Sequence, residues 1–310
     1  MTLSLTLVSQ MSAWRDEGLS LHVSVNISAY QLQSDAFIDS LKTILSVYPD
    51  IEPSWLELEI LETSALEDIS LTSHIIQSCK EVGVKIALDD FGTGYSSLTY
   101  LRRLAIDTLK IDKSFVIDML QESDDLCILE GIIGLSKAFN HSVIAEGVES
   151  EEHGKVLLQL GCQLAQGYYI ARPMSHAKIV PWLQTWTPDA SWKEQKILEK
   201  EDIALLFIIT KHRAWMHNIK QFLNQNSEET GSMNAHLCLL GKWLEYEGKE
   251  NYANHPLFEN LCLLHEEVHN LGIKVIESSR LQNKDISAQY LYKMEYTSQK
   301  IQDTLHLLMH

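Results

Sequence analysis

Seven polar side chains, Asn26, Glu59, Asp89, Asp90, Lys110, Glu146 and Gln166, each stand at or near the end of a short apolar run. Oxygen donors of this kind, gathered at one point without a histidine among them, suit hard cations such as Mg²⁺ or Mn²⁺. Asp89 and Asp90 directly follow the apolar Ile86-Ala-Leu88. Two adjacent carboxylates can serve two neighbouring metals, the arrangement used for in-line phosphoryl displacement. Lys110 would then be the lone cation of the pocket. Any one of these residues could simply cap a helix or open a turn; their recurrence at six successive strand ends points to a shared face. A second set lies near the C-terminus, where His265 and His269 are four apart and share a helical face, as metal-binding pairs do. Alone, such a pair is more often a solvated face in a chain with 13 histidines. His212 and Cys238 strengthen the metal reading.

The elements that must position the first set are short β-rich runs: 21–26, 55–60, 85–90, 108–112, 142–146 and 163–167. Amphipathic stretches such as 70–82 and 124–139 lie between them, giving the βαβ rhythm of a parallel sheet covered by helices. A closed (β/α) barrel needs eight strands, and its active site sits where the C-terminal strand ends converge. Six runs therefore predict an α/β fold, an incomplete (β/α) TIM-like barrel. Beyond Trp186 the pattern becomes helical over 197–223, 232–246, 255–279 and 286–308, which predicts an all-α four-helix bundle. The expected domains are 1–186, a linker and helix start at 187–200, and 201–310.

Several motifs then carry a family resemblance over about 165 positions. Val25-Asn-Ile-Ser28, Glu59-Ile-Leu-Glu62, Asp89-Asp-Phe-Gly-Thr-Gly-Tyr-Ser-Ser97, Lys110-Ile-Asp112, Ala145-Glu-Gly-Val-Glu149 and Gln166-Gly-Tyr168 occur in the order found in EAL-type cyclic-di-GMP phosphodiesterase domains. The resemblance implies that Asn26, Glu59 and Asp89 bind one metal, that Asp89 and Asp90 serve a second, and that Glu146 joins the metal and water network. It further implies that Lys110 orients the attacking water, that Gln166 supports the site, and that Glu62 anchors a mobile loop from Phe91 to Ser97 resembling the family's dimer-contacting segment. Glu149, Arg172 and Pro173 match positions near the site. The Glu-Ala-Leu segment that names the family would lie upstream of Met1, and Leu61 stands where many members have threonine.

His212, Cys238, His265 and His269 resemble the chemoreceptor zinc-binding domain, whose three histidines and one cysteine meet inside a helical bundle. That donor set suits tetrahedral Zn²⁺ and would hold Cys238 as a thiolate. His217, His236, His255 and Cys262 fall outside the pattern and read as structural or exposed.

A formal net charge of -17 excludes the basic surface needed to neutralise a long nucleic acid, and an anionic substrate would need bound cations. Five widely spread cysteines argue against a disulfide framework. With no spanning apolar run, the chain reads as cytoplasmic and without a membrane partner. The expected function is hydrolysis of cyclic-di-GMP to the linear dinucleotide by a homodimer with Mg²⁺ or Mn²⁺, under control of the zinc domain. The alternative is a catalytically silent receptor for the dinucleotide or zinc that signals through a partner.

Overall fold

The structure, a computed structural model, describes residues 2–34, 36–94, 98–224 and 232–309. It divides into two compact units, Met1–Ile117 with Ile128–Lys196, and Asp118–Cys127 with Ile197–His310.

The first unit is built on six parallel strands in sequential order, β1 (Val23–Asn26), β2 (Leu56–Leu61), β3 (Lys85–Phe91), β4 (Thr108–Ile111), β5 (Ser142–Glu146) and β6 (Leu164–Gln166). This is the expected partial TIM-like barrel, with strand ends shifted by a residue or two. Helices precede or follow the strands, as parallel pairing requires, because only a crossover can return the chain to the same end of the sheet. Burial falls from the centre outward: all four residues of β4 are buried, whereas β1 and β6 have no buried residue. Leu56, Leu58, Ile60, Ile86, Leu88, Leu109 and Ile111 are each at most 2% exposed. Burying each such side chain contributes about 1.5–3 kcal/mol, so these strands form the core that aligns the site.

Register brings the functional ends level. Asn26 pairs with Glu59, Leu61 with Asp89, Lys110 with Ile144, and Glu146 with Gln166. Local terminators set the entry of the chain into β3: Gly83 caps the helix Ile69–Val82 at φ +99°, and a Cβ there would lie 3.2 Å from Pro53. Lys80 then pairs with Asp107 at 2.9 Å, while the other oxygen of Asp107 accepts from the Ile86 amide.

The second unit contains three long helices, Lys200–Leu223, Phe258–Arg280 and Lys284–Leu308, with Leu205, Ile219, Leu261, Val268, Val275, Met294 and Ile301 fully buried. The fourth expected helix, 232–246, is a correction. It is broken into a 3₁₀ turn, Ala235–Leu237, and a short helix, Leu239–Glu245, followed by a further helix, Glu247–Tyr252. Cys238 interrupts it by adopting extended backbone (φ -73°, ψ 163°) and acting as the cap, its sulfur accepting from the Gly241 amide at 3.2 Å. No helix among the described residues is long and apolar enough to cross a membrane.

Candidate active site and metal centre

At the C-terminal strand ends, Lys110 from β4 reaches carboxylates from three other strands. Its Nζ lies 2.9 Å from Glu59 Oε1, 2.8 Å from Asp89 Oδ1 and 2.6 Å from Glu146 Oε1. Glu59, Asp89 and Lys110 are all less than 10% exposed. Burial by itself disfavours the Lys110 ammonium, but its hydrogen bonds to Asp89, Glu146 and Glu59 outweigh that and push its pKa up. Glu59 and Glu146 shift upward as well, because desolvation exceeds what Lys110 returns. The cluster thus holds more buried negative charge than one ammonium satisfies, and oxygens of Asp89, Asp90 and Glu146 lie within 4.8 Å of one another. A hard divalent cation fits this donor set.

Asp90 is delivered by a distortion. The register of β3 against β4 shifts between Leu88 and Phe91, and Asp90 takes φ +55°, in the left-handed region that costs a non-glycine residue energy. Its carboxyl pKa is raised by burial and then by Asp89 and Asp112, with which it shares a hydrogen bond. Burial also raises Asp112, but the hydroxyl and amide of Ser114 and the bond from Asp90 turn the net shift downward. Asp112, just past the end of β4, has no role in the sequence analysis, although its place two residues after Lys110 in the Lys110-Ile-Asp112 motif is a usable signal.

Gln166 donates to Glu146 at 2.8 Å. Glu146, Gln166, Glu149, Arg172 and Pro173 line one cleft of about 620 Å³, within the range that holds small ligands, together with Tyr168 and Trp182. The Arg172 guanidinium lies 4.7 Å from the Tyr168 ring centroid. Asn26 stands exposed on edge strand β1, registered with Glu59.

Glu62 is fully buried, and its Oε2 accepts from the amides of Gly92 (2.9 Å) and Gly94 (3.3 Å). Gly92 sits at φ +103°, and a Cβ there would lie 2.8 Å from Phe115, so both torsion and space demand glycine. Of the expected loop from Phe91 to Ser97, Tyr95, Ser96 and Ser97 lie outside the described residues. Glu62→Ala, which strands two amides, is expected to lower stability by about 1–3 kcal/mol in urea denaturation, with a smaller loss for Glu62→Gln because it keeps an acceptor oxygen.

In the second unit, Cys238, His265 and His269 place one sulfur and two ring nitrogens within 4.8 Å of one another. Cys238 Sγ lies 3.1 Å from His265 Nε2. His269 Nδ1 lies 3.2 Å from the Met233 carbonyl oxygen. A carbonyl only accepts, so Nδ1 carries the proton and Nε2 keeps its lone pair for a metal. That Nε2 is buried without a hydrogen-bond partner, as is His212 Nε2. His212 is not part of the 4.8 Å group; Trp215 lies against both, its ring 5.6 Å from His212 and 4.4 Å from His269. Desolvation, followed by the neighbouring histidines, pushes His212 down to about 3 and His265 down to about 4. Neutral imidazoles and a sulfur donor, with orphaned buried nitrogens, fit zinc. Trp215 was missed as part of this site, though its spacing of three from His212 puts it on the same helical face.

Comparison with known proteins finds one family pattern over the strand-containing part of the chain and another over the helical part. The family pattern described as "EAL domain" matches residues 2–173, and that described as "Chemoreceptor zinc-binding domain" matches 212–276. The chain is 40% identical over 166 residues to the bifunctional diguanylate cyclase/cyclic di-GMP phosphodiesterase MucR of Pseudomonas aeruginosa, covering 53% of this chain and 24% of that protein. It is 36% identical over 182 residues to the cyclic di-GMP phosphodiesterase PdeR of Escherichia coli, covering 59% and 27%. It thus spans about a quarter of the length of these curated relatives. Among solved structures, the PaMucR phosphodiesterase in complex with c-di-GMP superimposes with a TM-score of 0.55 at 38% identity, over 57% of this chain and 71% of that one. The chain belongs to the EAL-domain family, the family of cyclic-di-GMP phosphodiesterases, and carries a chemoreceptor zinc-binding domain after its EAL domain.

Proposed function

We propose that the chain hydrolyses cyclic-di-GMP to the linear dinucleotide at the Glu59–Asp89–Asp90–Lys110–Glu146 cluster, with zinc in the helical unit modulating the reaction. The observation that carries this reading is the junction of that cluster with the 620 Å³ cleft through Glu146, which belongs to both and accepts from Gln166 in the cleft wall. Asn26, Glu59, Asp89, Asp90 and Glu146 would hold Mg²⁺ or Mn²⁺. Bound there, such ions would offset the phosphate charge and generate a nucleophile from water. Lys110 would orient that water against the phosphorus, Gln166 would fix the Glu146 carboxylate, and Glu149, Arg172 and Pro173 would contact the nucleotide. One P–O bond breaks as the water oxygen bonds to phosphorus, and the departing oxygen takes a proton. The division of labour follows the domains 1–186 and 201–310, joined by 187–200. The homodimer rests on the resemblance of the Phe91–Ser97 loop.

The test is chromatographic: the full chain incubated with cyclic-di-GMP and Mg²⁺ or Mn²⁺ should yield the linear dinucleotide, and the yield should change on titration with zinc. One observation favours the receptor reading, since Lys110 already neutralises part of the carboxylate cluster that a metal would need. Tight binding of the dinucleotide without turnover under either metal would select that reading and sink the hydrolase.

A further inference from the structure

The histidines of the zinc site are nearly closed off, with His212, His265 and His269 each at most 5% exposed, while Cys238 is partly exposed. A hydrated cation must still reach them and shed its water. Of the buried histidines, His265 offers a route, because it also lines a cleft of about 370 Å³. The outer walls of that cleft include His236, Glu245, Lys249, Cys262 and Glu266.

Two of these walls form a pair across the short helix that Cys238 caps. His236 Nδ1 and Glu245 Oε1 are 2.5 Å apart, and their side chains are 68% and 45% exposed. His236 lies two residues before Cys238, and Glu245 ends the helix that begins just after it. The pair is held in place by backbone. Asn234 Oδ1 accepts from the His236 amide at 3.0 Å, and a Cβ on Gly241 would lie 1.8 Å from the Ala235 carbonyl oxygen, so the turn is pressed onto the helix. The donors differ in kind from those inside: one imidazole and one carboxylate, accessible to water, against a sulfur and buried imidazoles. Two ligands hold a zinc ion weakly and exchange quickly, whereas the inner set holds it closely. Glu245 and Glu266 against Lys249 leave the cleft with an excess of negative charge, which raises the local concentration of a divalent cation.

We infer that this cleft is the port through which zinc reaches and leaves the Cys238–His265–His269 centre, with His236 and Glu245 as a transit pair that receives the ion before the inner ligands do. The inference rests on the zinc reading of that centre. A transit pair lowers a barrier shared by both directions and leaves the end states as they were. Its removal must therefore slow uptake and release together.

The experiment uses the full chain, stripped of metal, mixed rapidly with zinc in the presence of a chromogenic zinc indicator; release is followed after adding excess chelator. His236→Ala and the near-isosteric Glu245→Gln should each slow both rates by about fivefold or more, a rise of about 1 kcal/mol in the shared barrier. Zinc per chain, affinity and the thermal melt should match the wild type. His217→Ala, which removes an exposed histidine outside the cleft, should exchange at the wild-type rate. Wild-type rates in both cleft variants would overturn the port, as would equal slowing by His217→Ala. Loss of zinc stoichiometry in either cleft variant would also overturn it, by making that residue a ligand. A wild-type chain that takes up no zinc would instead defeat the zinc reading itself.

Discussion

Lys110→Ala is expected to reduce cyclic-di-GMP turnover to background and to destabilise the metal-free chain by about 3–5 kcal/mol, the usual cost of leaving buried partners of an ion pair uncompensated. Its ammonium meets three carboxylates within 2.9 Å in a largely buried site. Without it, Glu59, Asp89 and Glu146 face one another and take up protons rather than remain charged. The pH dependence follows from the upward shifts of Glu59 and Glu146. Their unfolded values lie near 4.5, and their folded values lie higher. The folded state therefore holds extra protons above pH 4.5, and the stability present below that value is lost as pH rises through the folded values. In the variant this loss should be steeper, so its deficit grows from acid to neutral pH. Urea melts at both ends of that range should show the trend, and Mg²⁺ should recover stability without recovering turnover, because a cation can replace the charge but not the positioned donor. Equal melts for the variant and the wild type, or substantial residual turnover, would remove Lys110 from the centre of the site.

Zinc should be the largest stabiliser of the helical unit. An ion that binds only the folded state adds about 4 kcal/mol when its free concentration is 1,000 times its Kd. Cys238→Ala and His265→Ala should each lose the bound zinc and with it the difference between melts recorded with zinc and with a chelator. The metal-free unit should also be sensitive to acid. His212 and His265 protonate near 6.5 when unfolded but only near 3 and 4 when folded. The unfolded chain thus binds more protons as pH falls below 6.5, and stability drops over that window. Metal analysis and thermal melts of the full chain test both points, and variants that keep as much zinc as the wild type would refute the ligand assignment. His212→Ala separates three ligands from four. If His212 completes the centre its variant loses zinc as the others do, and if it is only packed against Trp215 it does not.

What the sequence determined by itself is local and periodic. Alternation of short apolar runs with amphipathic stretches reports which faces are buried, and that was enough to locate six parallel strands and the three long helices to within a few residues. The polar residue at each strand end was legible for the same reason, since β-strands in such a sheet all deliver their ends to one side. The Asp89–Ser97 block and the His265–His269 spacing were legible because each is contiguous in the chain. The tertiary structure alone decided what these residues meet. Lys110 lies among Glu59, Asp89 and Glu146 because sheet register sets four separate strands level, and no periodicity encodes a distance between residues 36 positions apart. The left-handed backbone of Asp90 and its approach to Asp112 arise from a bulge between neighbouring strands. The expected helix 232–246 broke at Cys238 because its sulfur caps the helix and Gly241 admits the Ala235 carbonyl, contacts that helical propensity does not contain. That break carries His236 to Glu245 and Cys238 to His265. Patterns in a sequence specify which surfaces are apolar; the burial that moves a pKa, and the meeting of donors from distant segments, exist only once those surfaces have packed.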